Sequence, residues 1–163
     1  MISRRQAVVG LGAFAGAGAF GGHRTAAQTG PIRLGFLTVN SGALAAGGRQ
    51  LEEGVKLFLK QRGNKIAGRE VELIIADTAG QPAQTRSKTQ ELVERNNVHA
   101  IIGPLAAFEA LAINDYIAQA QVPTIAPSAA AEDLTQRKLN PWFVRAVSTS
   151  AQPVHALADY AYK

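Results

Sequence analysis

From residue 32 onward, short apolar runs alternate with longer segments in which apolar residues recur every three or four positions. Residues 32–39 are nearly all apolar, the pattern of a strand buried on both faces, and Asn40-Ser41-Gly42 ends it. Residues 49–62 put Leu51, Val55, Phe58 and Leu59 on one helical face with charges opposite, and Gly63 and Asn64 stop that helix. Residues 71–76 read as a second strand, left through Asp77-Thr78-Ala79-Gly80. Pro82 suits the first turn of a helix running to about Asn96. The thin apolar stripe of that helix, Ala83, Leu92 and Val93, predicts a peripheral position. Residues 99–102 form a third strand, ended by Gly103-Pro104, and Phe108, Leu111, Ala112 and Ile117 line a third helix. Residues 122–126 are a fourth strand, 132–138 a brief helix and 142–147 a fifth strand. Ser150 is placed to cap a last helix that buries Val154, Leu157, Ala158 and Ala161.

Consecutive βα units of this kind predict an α/β fold, a doubly wound parallel sheet with helices on both sides. Such sheets bind ligands outside the carboxyl ends of their strands. That rule selects the loops 40–47, 77–81, 103–108, 127–131 and 148–150, which are short and rich in Gly, Ala, Ser and Thr.

The first 27 residues break the alternation. Ser3-Arg4-Arg5 precedes a Gly/Ala-rich apolar run over residues 7–22, and Thr25-Ala26-Ala27 follows. A positive start, an apolar middle and a small-residue end are the parts of a cleaved export signal, and the paired arginines resemble a twin-arginine signal. An uncleaved membrane anchor needs about 20 strongly apolar residues, more than this run supplies. Gly16-Ala17-Gly18-Ala19-Phe20-Gly21 matches a dinucleotide fingerprint, but no acid follows until Glu52 to hold a ribose. The leader also changes the meaning of the +5 net charge. It carries Arg4, Arg5 and Arg24 and no acid, so the remaining chain is nearly balanced. No basic cluster with interleaved aromatics remains, which argues against a nucleic-acid partner. With no Cys in 163 residues there is neither a disulfide framework nor a thiolate metal site. His99 and His155 have no partner at metal-ligand spacing, and no phosphate loop or nucleophile elbow occurs. Asp77 reads as a residue that satisfies loop N–H groups rather than a catalyst. The residues therefore favour a binding protein, without cofactor or metal, over an enzyme. A nucleotide-using enzyme on a similar sheet and a ligand-sensing receptor domain are the alternatives.

Several short stretches, in order, resemble the periplasmic type I solute-binding proteins of branched-chain amino-acid ABC transporters, the leucine-binding family. They are Ile32-Arg33-Leu34-Gly35 before the Ser41-Gly42 turn, Asp77 through Pro82, Ile101-Ile102-Gly103-Pro104, Val122 through Ala129, and Trp142-Phe143-Val144-Arg145. The resemblance implies one lobe of a two-lobed clamp, with residues 28–163 ending before the hinge and second lobe. It also implies a monomer that hands a small molecule to a membrane permease from the periplasm. A lobe alone is expected to bind weakly, since half of the ligand's desolvating contacts are missing.

In that family, the loop after the third strand offers backbone N–H groups and a Ser hydroxyl to a carboxylate. Here the matching residues are Ala106, Ala107 and Phe108, with Ala107 in the place of the Ser. The loop after the fourth strand gives a carbonyl and a Thr hydroxyl to an ammonium. Here it is Ser128, Ala129 and Ala130, with Ala130 in the place of the Thr. The first loop offers Ser41 and Leu44 but no aromatic residue. Ser41 reads equally as a ligand contact or a turn residue, and Phe108 as core or cleft. These departures point from a standard α-amino acid to a small organic anion or amide held mainly by backbone donors.

Overall fold

The computed structural model describes residues 30–162. The export-signal reading of residues 1–27 lies outside them. Six strands form one sheet: β1 (Ile32–Thr38), β2 (Lys65–Ile66), β3 (Arg69–Asp77), β4 (Ala100–Ile102), β5 (Thr124–Ala126) and β6 (Phe143–Arg145). Four α-helices connect or follow them: α1 (Ala45–Gln61), α2 (Pro82–Gln90), α3 (Ala107–Ala120) and α4 (Ala151–Ala161). α2 runs on through a π-helical turn, Glu91–Arg95, and a 3-10 turn, Glu132–Leu134, precedes β6.

The strand order is β2-β3-β1-β4-β5-β6. All pairings are parallel except the edge pair β2–β3. That hairpin, and β2 with it, has no counterpart in the sequence reading. Its turn is Ala67-Gly68, both at positive φ, instead of the Asn-Gly or Asp-Gly pair that announces such a turn. β1 lies between β3 and β4, so the winding direction reverses beside it. A reversal of this kind leaves a crevice between the loops departing from the two strands that flank it.

One face of the sheet packs on α2 and α3. Leu37, Ala76, Leu92, Val98, Ile101, Ile113, Ile117 and Val122 form its main core cluster. A second cluster joins Ala110, Ala126, Ala129, Leu134 and Phe143. Gly35 belongs to this face, where a Cβ would meet Leu92 Cδ1 at 3.0 Å. The neighbours Leu34 and Phe36 point the other way, toward α1, in register with Ala100 and Ile102.

Local chemistry moves several boundaries. α1 begins four residues before the apolar stripe that announced it, because Ala45 and Gly48 dock under the end of β1. A Cβ on Gly48 would lie 1.9 Å from Val39 O. α1 ends in a Schellman motif, Gly63 N–H to Lys60 O at 3.0 Å and Asn64 N–H to Leu59 O at 2.7 Å. α2 is not peripheral. Its inner face is Thr85, Thr89 and then Leu92, all buried. Each Thr hydroxyl lies within hydrogen-bond distance of the carbonyl four residues back, Gln81 O at 2.8 Å and Thr85 O at 2.7 Å. The hydroxyls are thereby satisfied and the methyls pack, so a polar-looking helix makes a core face.

α3 buries Glu109, Ala110, Ile113, Asn114 and Ile117, whereas Phe108 and Leu111 are exposed. Reading the stripe through Phe108 and Leu111 rotated the helix away from its true inner face. Ser150 stands at the N-cap position of α4, as expected, but its side chain makes no capping bond. Thr149 and Gln152 bond reciprocally, Thr149 N–H to Gln152 Oε1 at 2.8 Å and Gln152 N–H to Thr149 Oγ1 at 3.2 Å. Val154 and Leu157, expected to be buried, are exposed, because α4 packs on no other element closely among the described residues.

Candidate ligand-binding site

Because β1, β3, β4, β5 and β6 are parallel, the loops at their carboxyl ends leave from one rim. Direct contacts tie these loops together. Asn40 N–H and Ala79 N–H both donate to Asp77 Oδ1 at 2.9 Å, joining the loops after β1 and β3. Gly80 lies beside the Leu44 side chain, and Gly47 beside Leu105. Farther along, Ser150 N–H donates to Ala130 O at 3.0 Å, joining the loop after β5 to the start of α4.

Gly103 fixes where the β4 loop leaves the sheet. Its φ of +111° is open to glycine and strained for other residues, and a Cβ there would lie 2.1 Å from Leu37 O. The chain then passes Pro104 and Leu105 and enters α3, with Ala106 as N-cap in extended backbone at φ −97°, ψ 151°. Ala106 has no side-chain oxygen for the helix. Its own N–H donates to Glu109 Oε2 at 2.9 Å. The next two N–H groups, of Ala107 and Phe108, have no hydrogen-bond partner among the described residues. They stand at the positive end of a 14-residue helix dipole.

The residues expected at the site fall into three positions. Ser41, Leu44 and Phe108 are exposed at the rim, Leu44 and Phe108 being 41% and 47% accessible. Ala106, Ala107, Ser128 and Ala130 are half-buried beside them. Ala129 is fully buried with its methyl in the second core cluster, so only its backbone can face a ligand. Of the donors expected after β4, Ala106 N–H is already engaged by Glu109, a residue the sequence reading did not single out. Its signal was available: an acid three residues into a helix whose N-cap offers no side chain.

The polar side chains at the rim are held within it. Burial pushes the Asp77 carboxyl up, but hydrogen bonds from the N–H groups of Ala79 and Asn40 and from Ser41 outweigh it and leave its pKa below 3.8. Asp77 is thus a staple for two loops. Glu52, on α1, accepts hydrogen bonds from Lys56 and Asn40, which lower its pKa against the opposing effect of burial. Among the described residues, no group of three His, Asp or Glu side chains is placed to hold a metal ion. No described helix is long and apolar enough to cross a membrane.

A deep apolar groove lies elsewhere, between α1 and the sheet. It encloses about 490 Å³ and is lined by Leu34, Leu51, Val55, Phe58, Ile102 and Ile125 among others. It runs under the sheet's second face and away from the rim loops.

Comparison with known proteins agrees with this geometry. Residues 31–163 match the model of the periplasmic binding protein family. The Leu/Ile/Val-binding protein BraC3 of Rhizobium johnstonii is 30% identical over 134 residues, 81% of this chain and 36% of BraC3. Among solved structures, an ABC transporter substrate-binding protein from Sphaerobacter thermophilus superposes with a TM-score of 0.75 at 41% identity, covering 81% of this chain and 36% of that one. A solute-binding protein of an ABC transporter from Rhodopseudomonas palustris BisB5, in complex with 3,4-dihydroxybenzoic acid, gives a TM-score of 0.75 at 32% identity, covering 80% and 36%. The chain spans about a third of the length of these relatives. With its parallel sheet, its single rim of loops and this match over nearly all described residues, the chain belongs to the periplasmic binding protein family.

Proposed function

We propose that this chain forms one wall of the ligand cleft of an ABC importer's solute-binding protein. It captures a small carboxylate-bearing molecule in the periplasm, after export directed by residues 1–27, and presents it to a membrane permease without reacting with it. The observation that carries this reading is the pair of unpartnered N–H groups, Ala107 and Phe108, at the α3 N-terminus. Free donors at the positive end of a helix form an anion site. The side chains flanking them, Ala106, Ala107 and Phe108, are small or apolar, as is Leu44 on the loop after β1. The hydroxyl that a Ser would add is missing at Ala107, and Ala130 offers no hydroxyl for an ammonium group. Backbone donors with apolar flanks suit an aromatic or aliphatic acid better than a zwitterionic amino acid. The relative solved with 3,4-dihydroxybenzoic acid supports that class, and the Leu/Ile/Val-binding relative supports the competing one. The polar groups within reach, Asp77 and Ser41, are committed to holding loops, which supports binding without chemistry.

Titration of the ¹⁵N-labelled chain with benzoate and with leucine tests the reading. The expected result is that benzoate shifts the Ala107 and Phe108 amides and leucine leaves them in place. Affinity should be weak, because about two thirds of the length of a typical relative is not represented in this chain. Shifts with leucine alone would overturn the ligand class. Retention in the cytosol, when the chain is expressed with residues 1–27 in a bacterium with a periplasm, would overturn the location.

A further inference from the structure

Glu109 is a fully buried carboxyl group, and no Lys, Arg or His forms an ion pair with it among the described residues. A buried acid must find its partners in hydrogen bonds. Its Oε2 accepts the Ala106 N–H at 2.9 Å, from the loop between β4 and α3. Its Oε1 is bonded to the Thr78 hydroxyl, from the β3–α2 connection, and lies 3.0 Å from the Thr85 hydroxyl, in the first turn of α2. Each of those hydroxyls has one proton and two acceptors in range. Thr78 Oγ1 is 3.1 Å from Thr38 O, and Thr85 Oγ1 is 2.8 Å from Gln81 O. Both carbonyls already accept a backbone N–H, from Thr78 at 2.9 Å and from Thr85 at 2.8 Å. The two hydroxyl protons can therefore turn to Glu109 without leaving a buried carbonyl unpaired.

An ordinary capping acid binds only its own N-cap and stays in water. Glu109 reaches across to a second connection and, through Thr78, to the end of β1. We infer that Glu109 is the positioning residue of the ligand rim. It takes up the Ala106 N–H, fixes the backbone at the start of α3, and so holds the N–H groups of Ala107 and Phe108 toward the cleft. It also locks that loop to the β3–α2 connection, so that the two move as one body. The ligand-facing half of this inference rests on the function proposed above; the locking half does not.

Glu109→Met tests it in the full chain, since the thioether side chain keeps much of the volume but offers no oxygen to accept the Ala106 N–H. The expected result is that the Ala106 amide exchanges its hydrogen about a hundredfold faster, while amides in the β1–β3 ladder keep their wild-type rates. In parallel, the benzoate-induced shifts of Ala107 and Phe108 disappear. Thr85→Val removes one partner with little change of shape and should accelerate Ala106 alone by about tenfold, which carries the test if Glu109→Met does not fold. Ala106 exchange unchanged in these variants, or rising together with the whole ladder, overturns the inference, because a merely structural residue loosens everything at once. Benzoate binding as tight or tighter in Glu109→Met overturns it too. If the wild-type chain shows no benzoate shift while Ala106 exchange responds as expected, the proposed ligand falls and the locking role stands.

Discussion

The two faces of the sheet differ sharply. On one, Leu37, Ile101, Ile113 and Ile117 are sealed under α2 and α3 and are at most 1% accessible. On the other, α1 docks tightly at the β1 end through Gly48, but Ile125 and Val144 are 44% and 58% accessible. The direction of winding explains the difference. From β1 the chain first moves toward β3, then reverses and steps across to β4, β5 and β6. Right-handed crossovers put connections running in opposite directions on opposite faces. α1 alone therefore covers one face, and every later connection falls on the other. The bare strip over β4–β6 is the part of the fold that the described residues leave incomplete, since parallel sheets are normally covered on both sides.

Four substitutions would break or sharpen this contrast. The largest effect is expected for Gly103→Ala, where the sealed face meets the rim. Both the strained φ and the 2.1 Å approach to Leu37 O oppose a side chain, and a loss above about 3 kcal/mol, or no folded protein, is expected in urea denaturation. Ile113→Ala in the main cluster should cost about 2–5 kcal/mol by the same measurement.

Asp77→Asn should have an effect that depends on pH. The folded pKa of Asp77 is depressed, so its contribution to stability is full above its ordinary value of 3.8 and is lost as pH falls through the lower folded value. Thermal melts should show the wild type ahead of Asp77→Asn at neutral pH and the gap closing in strong acid. A gap that widens on acidification would contradict the stapling role. The smallest effect belongs to Ile125→Ala on the bare strip, within about 0.5 kcal/mol. A loss there as large as that of Ile113→Ala would show that the strip is covered in solution.

Much of the architecture could be read in advance. The apolar runs that became β1, β3, β4, β5 and β6 are strong, short and separated by turn residues, so their succession along the chain and a parallel sheet followed from pattern alone, whereas their order within the sheet did not. Failures came where side chains do double duty. Thr85 and Thr89 look polar in a window count, yet they pack because each hydroxyl finds a partner, Thr89 backward along α2 and Thr85 at Glu109. Glu109 looks like a surface acid, and it is buried because the Ala106 N–H and the hydroxyls of Thr78 and Thr85 converge on it. The loop after β4 was placed correctly at the rim, but the loss of the Ala106 N–H to Glu109 was invisible without coordinates.

Residue order by itself determined the alternation of strands and helices, the common rim of loops, and the scarcity of reactive side chains there. These depend on local periodicity and on the directionality of parallel strands, which a chain carries along its length. Only the tertiary structure decided which face of each helix turns inward, which half of the sheet stays bare, and which backbone donors are spent before a ligand arrives. Those outcomes depend on partners distant in sequence, such as Thr78 and Glu109, that meet only when the sheet has reversed its winding beside β1.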